Sequence, residues 1–384
     1  MRSVVLTANA GSSSLKVGLV QWPLARFVGT IEIDQIGSGA ELIVQLPGQR
    51  PGRSPIAIPT VSAAARFIAR WLTKSGLSPS SVRGIAHRVV VADGYHQPVR
   101  ITSAVARAIA RATARAPLHN PAALAVIRVF RRVYRRATHV AAFDTAFFAH
   151  LPLRARTYAI DHRLAARFGL VRTGFHGLSH AAASRFAAAQ LGRPISSLRL
   201  ITVHLGAGCS VTAVNRGRAV DTSMGFTPLE GLVMATRPGD LDSGVVLHLL
   251  KQGMTVRQLE ALLYHQSGWR GLSGVSDDLR VVLAGAGIPV RGWQSKRRFS
   301  AAARRRCRTA LAVFIYRIQK YLGAYAAILG TVDAIVFTGA IGERNPDVRR
   351  RIVRGLRLPG QPRVVVAPTD EQFTLIRMAR RLMS

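Results

Sequence analysis

Polar residues in this 384-residue chain gather beside glycines, at turns that follow apolar runs, where side chains can face a cleft instead of a core. The first such run, Asn9-Ala10-Gly11-Ser12-Ser13-Ser14-Leu15-Lys16, offers backbone N–H groups, hydroxyls and one of only five lysines. Small residues let phosphate oxygens approach a backbone, and an ammonium balances their charge. An ordinary hairpin turn would use the same residues. The run lacks the Gly-x-x-x-x-Gly-Lys-Ser/Thr order of a Walker loop. Further on come His87-Arg88-Val89-Val90, Pro117-Leu118-His119-Asn120-Pro121, Phe143-Asp144-Thr145-Ala146-Phe147 and Gly174-Phe175-His176-Gly177-Leu178-Ser179-His180. His204-Leu205-Gly206-Ala207-Gly208, the long Asp221–Gly231 segment with Thr236-Arg237-Pro238-Gly239-Asp240, and Phe337-Thr338-Gly339-Ala340-Ile341-Gly342-Glu343 complete the set. Arginine forks suit carboxylate and phosphate alike. A lone histidine in a turn is more often a satisfied structural group than a ligand, and no His-Glu-x-x-His zinc motif occurs.

The elements that must position these residues read as α/β. Strands are predicted at Val4–Ala8, Leu15–Val20, Gly84–Val91, Thr138–Phe143, Leu200–Leu205, Val211–Val214, Val332–Phe337 and Arg363–Ala367. Helical spacing falls at Ala63–Lys74, Ala104–Arg115, Leu124–Arg136, His180–Leu191, Asp242–Gln252 and Ala301–Leu329. Two glycine-bearing hairpins, one around Gly11 and one around Gly206, suggest two related halves. The Pro-, Gly- and Arg-rich stretch from Leu46 to Pro59 reads as an exposed loop.

Charge is the outlying property. With 54 basic and 18 acidic residues the formal net charge is +36, and all but five of the bases are arginine. In Leu124–Arg136, Val126, Val129, Phe130, Val133 and Tyr134 recur at helical spacing with Arg128, Arg131, Arg132, Arg135 and Arg136 between them, which predicts a solvated arginine face. Arg107, Arg111 and Arg115 repeat the pattern. No stacking platform, zinc finger or RNA-binding motif accompanies the surplus. That favours sequence-wide drift toward arginine over nucleic-acid binding, although a positive field still draws anionic substrates. Cys209 and Cys307 are too few for a disulfide framework. The start meets Asn9 and Gly11 too soon for a signal-peptide core, and Arg317, Lys320 and Asp333 interrupt the most apolar later stretch. A soluble, cytoplasmic protein without a membrane span is expected.

In order and spacing these segments resemble the acetate kinase family, the acetate and short-chain acyl kinases of the actin-like ATPase superfamily, from about Val5 to Glu371. The resemblance implies two duplicated ribonuclease-H-like domains, 1–147 joined by a C-terminal helix 372–384, and 148–371, with ATP and acetate in the cleft between them. It implies reversible phosphoryl transfer giving acetyl phosphate and ADP, a Mg²⁺ requirement that Mn²⁺ can meet, and a homodimer. Arg88 and Arg237 match the active-site arginines, His176 the histidine that stabilises the transition state, His119 a second cleft histidine and Asp144 the carboxylate. Asn9 and Glu371 match the magnesium positions. Val90, Leu118, Phe175 and Pro228 match the apolar pocket for the substrate methyl. Ser12, Ser14, Lys16, His204–Gly208, Asp278-Leu279-Arg280 and Ala340-Ile341-Gly342-Glu343-Arg344 match the nucleotide side.

The chain departs from the family mostly on that side. Ala207 and Arg344 replace amide side chains, and Leu279 replaces an aromatic. Elsewhere Val91-Ala92-Asp93, Thr173, Pro238 and Phe148 stand where the family has other residues. One lost hydrogen bond costs about 0.5–1.5 kcal/mol, so a weakened ATP site is expected. Propionate or another short-chain acid as acceptor, pyrophosphate as donor, and an inactive member with a polyanion-binding surface are the alternatives.

Overall fold

Thirteen strands form among the residues described by this computed structural model, which are 3–23, 26–37, 39–117, 119–369 and 371–383. Leu118 lies outside them. The chain packs as two units, Met1–Ala146 with Asp370–Ser384, and Phe147–Thr369. Glu371, expected at the end of the second segment, therefore belongs to the first unit, where it opens the helix Glu371–Met383.

In the first unit, β1 (Val4–Ala10), β2 (Leu15–Gln21), β3 (Arg26–Asp34), β4 (Glu41–Gln45), β5 (Gly52–Pro55), β6 (Val82–Val89), β7 (Val99–Arg100) and β8 (Thr138–Phe143) form one sheet of order β5-β4-β3-β2-β1-β6-β8-β7. In the second, β9 (Arg199–Leu205), β10 (Cys209–Asn215), β11 (Arg218–Thr222), β12 (Ala334–Thr338) and β13 (Arg363–Val366) follow the order β11-β10-β9-β12-β13. The series β3-β2-β1-β6-β8 and β11-β10-β9-β12-β13 share one pattern: two antiparallel pairings, then two parallel ones. The duplication hinted at by the hairpins is present in the strand order.

Burial follows the sequence pattern. Val4, Leu6 and Ala8 of β1 join Ile68 and Leu72 of the helix Val61–Lys74 and Val126 and Phe130 of the helix Asn120–Val133 in one core. Fully burying a side chain such as Ile68 contributes about 1.5–3 kcal/mol. Thr60 fixes the start of the first of these helices by accepting from the Ala63 N–H. Arg128, Arg131 and Arg132 stay on the exposed face, as the spacing predicts. In the second unit Ala183 and Ala187 of the helix Gly177–Gln190 pack with Leu200, Val214 and Val336.

Three expectations change. The helix predicted to reach Arg115 stops at Arg111 and tightens into a 3₁₀ turn over Ala112–Arg115, so Arg115 turns aside to pair with Asp93. The helix predicted over Leu124–Arg136 starts at Asn120 and ends at Val133, leaving Arg135 and Arg136 beyond it. The loop predicted across Leu46–Pro59 contains β5, an edge strand exposed along its length, which gives no hydrophobic alternation to read. Among the described residues no helix is long and apolar enough to cross a membrane.

Candidate active site

Parallel pairing brings three strand ends of the first unit together. β1, β6 and β8 run side by side, so their C-terminal ends deliver Asn9, Arg88 and Asp144 to one edge of the sheet. The Arg88 guanidinium forks onto Asp144, with Nε donating at 3.1 and 3.2 Å and Nη2 at 2.8 Å. Its Nη1 donates to Glu371 Oε2 at 2.7 Å and to Asn9 Oδ1 at 3.2 Å, while Asn9 Nδ2 donates to the same Glu371 oxygen at 2.7 Å. Burial works against the Arg88 charge, but Asp144 and Glu371 outweigh it and hold the guanidinium above its ordinary range. Burial pushes the Asp144 carboxyl up, against the pull of Arg88.

Beneath this cluster, on β6 and β8, two imidazoles are buried together. His139 Nε2 reaches the Tyr134 carbonyl at 3.2 Å, which can only accept, so Nδ1 of neutral His139 accepts from His87 Nε2 at 3.0 Å. Burial lowers His139 to about 4 and His87 well below its usual value.

The other expected residues of this unit are spread more widely. Val90 is buried. His119 is half-buried at the N-cap of the helix Asn120–Val133. Lys16 pairs with Glu32 on the neighbouring strand at 3.3 Å. Ser12 is exposed in the turn after β1, which closes through the Gly11 N–H donating to the Ser14 carbonyl at 2.8 Å.

In the second unit His176 takes a left-handed backbone, φ +59°, at the N-cap of the helix Gly177–Gln190. Ser210 Oγ lies 2.9 Å from His176 Nδ1 and 2.7 Å from His180 Nε2, and His180 Nδ1 lies 2.8 Å from Thr202 Oγ1. The His204 ring packs 4.4 Å from that of His176, centroid to centroid, with Ser179 Oγ 2.8 Å from His204 Nδ1. A Cβ at Gly208 would lie 3.1 Å from His176 Nε2 and 3.2 Å from Arg237 Nη2, tighter than ordinary contact, so the glycine lets both groups approach the backbone this closely.

Arg237 is the anomaly of this unit. It is only 8% exposed, donates through Nη1 to the Pro228 carbonyl at 3.0 Å, and has no partner for Nε. Among the described residues no ion pair holds it. Burial accordingly lowers its pKa. A buried cation without a counter-ion costs several kcal/mol, a cost that an anion bound beside it would offset.

Phe175 and Pro228 are buried in the same unit. The turn His204–Gly208 is held by the Gly206 N–H to the Gly208 carbonyl and the Ala235 N–H to the Ala207 carbonyl, both 3.0 Å, with the Ala207 side chain exposed. Ala340-Ile341-Gly342-Glu343-Arg344 lie in a short helix after β12, where Glu343 accepts from the Thr369 N–H at 2.8 Å and Arg344 is exposed. Asp278 caps the helix Leu279–Gly285 and pairs with Arg280, whose guanidinium lies 5.3 Å from the Trp293 ring centre. Leu279 is buried in the core, where it turns no face outward. Sequence reasoning did not single out Ser210 or Thr202, nor His180 as a partner of His176. The four-residue step from His176 to His180 was the available signal.

A family model described as the Acetokinase family matches residues 4–363. The chain is 37% identical to the acetate kinase of Heliobacterium modesticaldum over 99% of both chains, and 39% identical to that of Clavibacter sepedonicus over 99% of this chain and 92% of the relative. Among solved structures it is similar to Porphyromonas gingivalis acetate kinase, with TM-score 0.84, 30% identity and full coverage of both chains. It is also similar to a propionate kinase from Francisella tularensis, with TM-score 0.85, 28% identity and 98% of each chain covered.

Proposed function

This chain belongs to the acetokinase family, and from that premise we propose that it forms acetyl phosphate from acetate and ATP, reversibly, as a phosphotransferase with a carboxyl group as acceptor. The observation that carries the reading is Arg237, a buried guanidinium with no ion pair among the described residues, which approaches the same glycine, Gly208, as His176. Phosphoryl transfer asks for positioning and charge stabilisation rather than covalent help, because the charge resides on the equatorial oxygens. Arg237 and His176 supply donors for those oxygens. Arg88 offers its fork to the acetate carboxylate, which must take over bonds now made to Asp144 and Glu371. Acetate is already ionised near neutral pH, so no proton need be removed from it. The three bonds Asp144 accepts from Arg88 support an orienting role for that carboxylate.

Asn9 and Glu371 would hold magnesium. An amide oxygen and a carboxylate are hard donors of the right kind, and among the described residues no group of three His, Cys, Asp or Glu offers a fuller cage. Bound there, the ion would neutralise charge on the phosphates; these two residues would hold it, at oxygens that now accept from Arg88. Buried Val90, Phe175 and Pro228 are suited to the substrate methyl, while Leu118, the fourth expected member, lies outside the described residues. The helix Ser243–Lys251 exposes Val245, Leu247 and Leu250 and buries none of its residues, which supports a homodimer.

A coupled assay with acetate, ATP and Mg²⁺ tests the reading. Acetyl phosphate should form with ATP and not with pyrophosphate, and propionate should react roughly 10- to 200-fold less efficiently, the scale of one methylene. No product from acetate and ATP would end it.

A further inference from the structure

The hydrogen bonds behind His176 form a chain whose direction can be worked out from its far end. Thr202 Oγ1 lies 3.4 Å from the Thr212 carbonyl, and a carbonyl only accepts. A hydroxyl has one proton, so Thr202, donating there, must accept from His180 at Nδ1. His180 is fully buried and burial holds it neutral, so its other nitrogen, Nε2, carries no proton and accepts from Ser210. Ser210 has then spent its one proton and can only accept from His176 Nδ1. Every link points the same way.

We infer that Ser210, His180 and Thr202 are positioning residues that hold the His176 proton on Nδ1 and leave Nε2, which faces Gly208 and Arg237, to donate only when the ring is doubly protonated. The inference rests on the reading of His176 as a donor to the phosphoryl group. A neutral Nδ1–H ring turns a lone pair toward that group and repels it, so an anion binding there draws a proton onto Nε2. Among the described residues, the charged and titratable groups facing the ring include Arg237 across Gly208, His204 against its face and His180 through Ser210. The arrangement makes anion binding and proton uptake one event, so affinity for phosphate should weaken as pH rises.

The tautomer is visible directly. In protein labelled with ¹⁵N-histidine, long-range proton–nitrogen spectra distinguish a protonated ring nitrogen from a bare one, and His176→Gln identifies the resonance. At alkaline pH, where the ring is neutral, the wild type should show Nδ1 protonated and Nε2 bare. Thr202→Val removes the anchoring hydroxyl and should mix the tautomers, whereas Thr202→Ser should keep the wild-type signature. Ser210→Ala should lower kcat by ~10- to 100-fold, the usual scale for losing the partner that orients an imidazole, with acetate KM little changed. Calorimetry with inorganic phosphate in buffers of different ionisation enthalpy should show proton uptake in the wild type and less in Thr202→Val. An active wild type with the proton on Nε2, or a Thr202→Val spectrum identical to wild type, overturns the inference and leaves the reaction standing. The Nδ1 signature in a protein that makes no acetyl phosphate overturns the reaction instead.

Discussion

Arg88 and Arg237, one in each unit, are buried in opposite company. Arg88 lies among Asp144, Glu371 and Asn9, with every nitrogen engaged and two negative charges against its one. Arg237 lies deeper, held by one carbonyl, with its Nε unpartnered. The difference separates a site that is complete without its ligand from one that is not. An anion reaches Arg88 only by exchange, displacing bonds of comparable strength. At Arg237 an incoming anion relieves a desolvation cost the fold already bears, so its binding energy is available for the transition state.

Removing each arginine is the sharpest way to break that contrast. Arg88→Ala strands two buried carboxylates and should lower the unfolding free energy by about 3–5 kcal/mol in denaturant titration. Arg237→Ala removes an unmatched charge and should leave stability unchanged or higher. Equal losses in the two variants would mean that Arg237 has a counter-ion after all.

Acid should act next most strongly, as His139 of the first unit shows. His139 titrates near 4 when folded and near 6.5 when unfolded, so between those values the unfolded chain binds the extra proton. Stability therefore falls as pH drops from about 7 toward 4, by on the order of 3 kcal/mol from this group alone. Unfolding followed at several pH values should show the slope, and His139→Gln should make it shallower, with His87 and His180 supplying the remainder.

The smallest effect concerns the turn Gly206-Ala207-Gly208 in the second unit. Ala207→Asn restores an amide at an exposed position, and should tighten ATP a few-fold, about 1 kcal/mol, with acetate KM unchanged. Steady-state kinetics for both substrates check it; a change in acetate KM alone would place the turn on the wrong side of the reaction.

Much of this architecture was legible in the sequence because burial imposes a period. The helix Ala301–Leu329 has the predicted limits, since Cys307, Leu311, Phe314, Ile318, Leu322 and Tyr325 mark one buried stripe. β5 was not legible, being exposed on both faces, nor were short helices such as Leu153–Arg156, which buries none of its residues. The site residues were named through family likeness, but not their arrangement. Nothing local ties Glu371 to Asn9, 362 positions away; Asn9 lies at the end of β1, and Glu371 opens the helix Glu371–Met383, which packs against β1, β6 and β8. The role of Ser210 depends on which way the Thr202 hydroxyl of β9 points, and that is set by the Thr212 carbonyl of β10.

The claim that Arg237 is held unmatched for a phosphoryl anion is tested most directly by the turnover of Arg237→Ala. With acetate, ATP and Mg²⁺ at saturation, kcat should fall by ~10²- to 10³-fold or more, the scale of losing one preorganised donor to transition-state charge, in a variant that unfolds no more easily than wild type. Turnover equal to wild type in that folded variant would contradict the account.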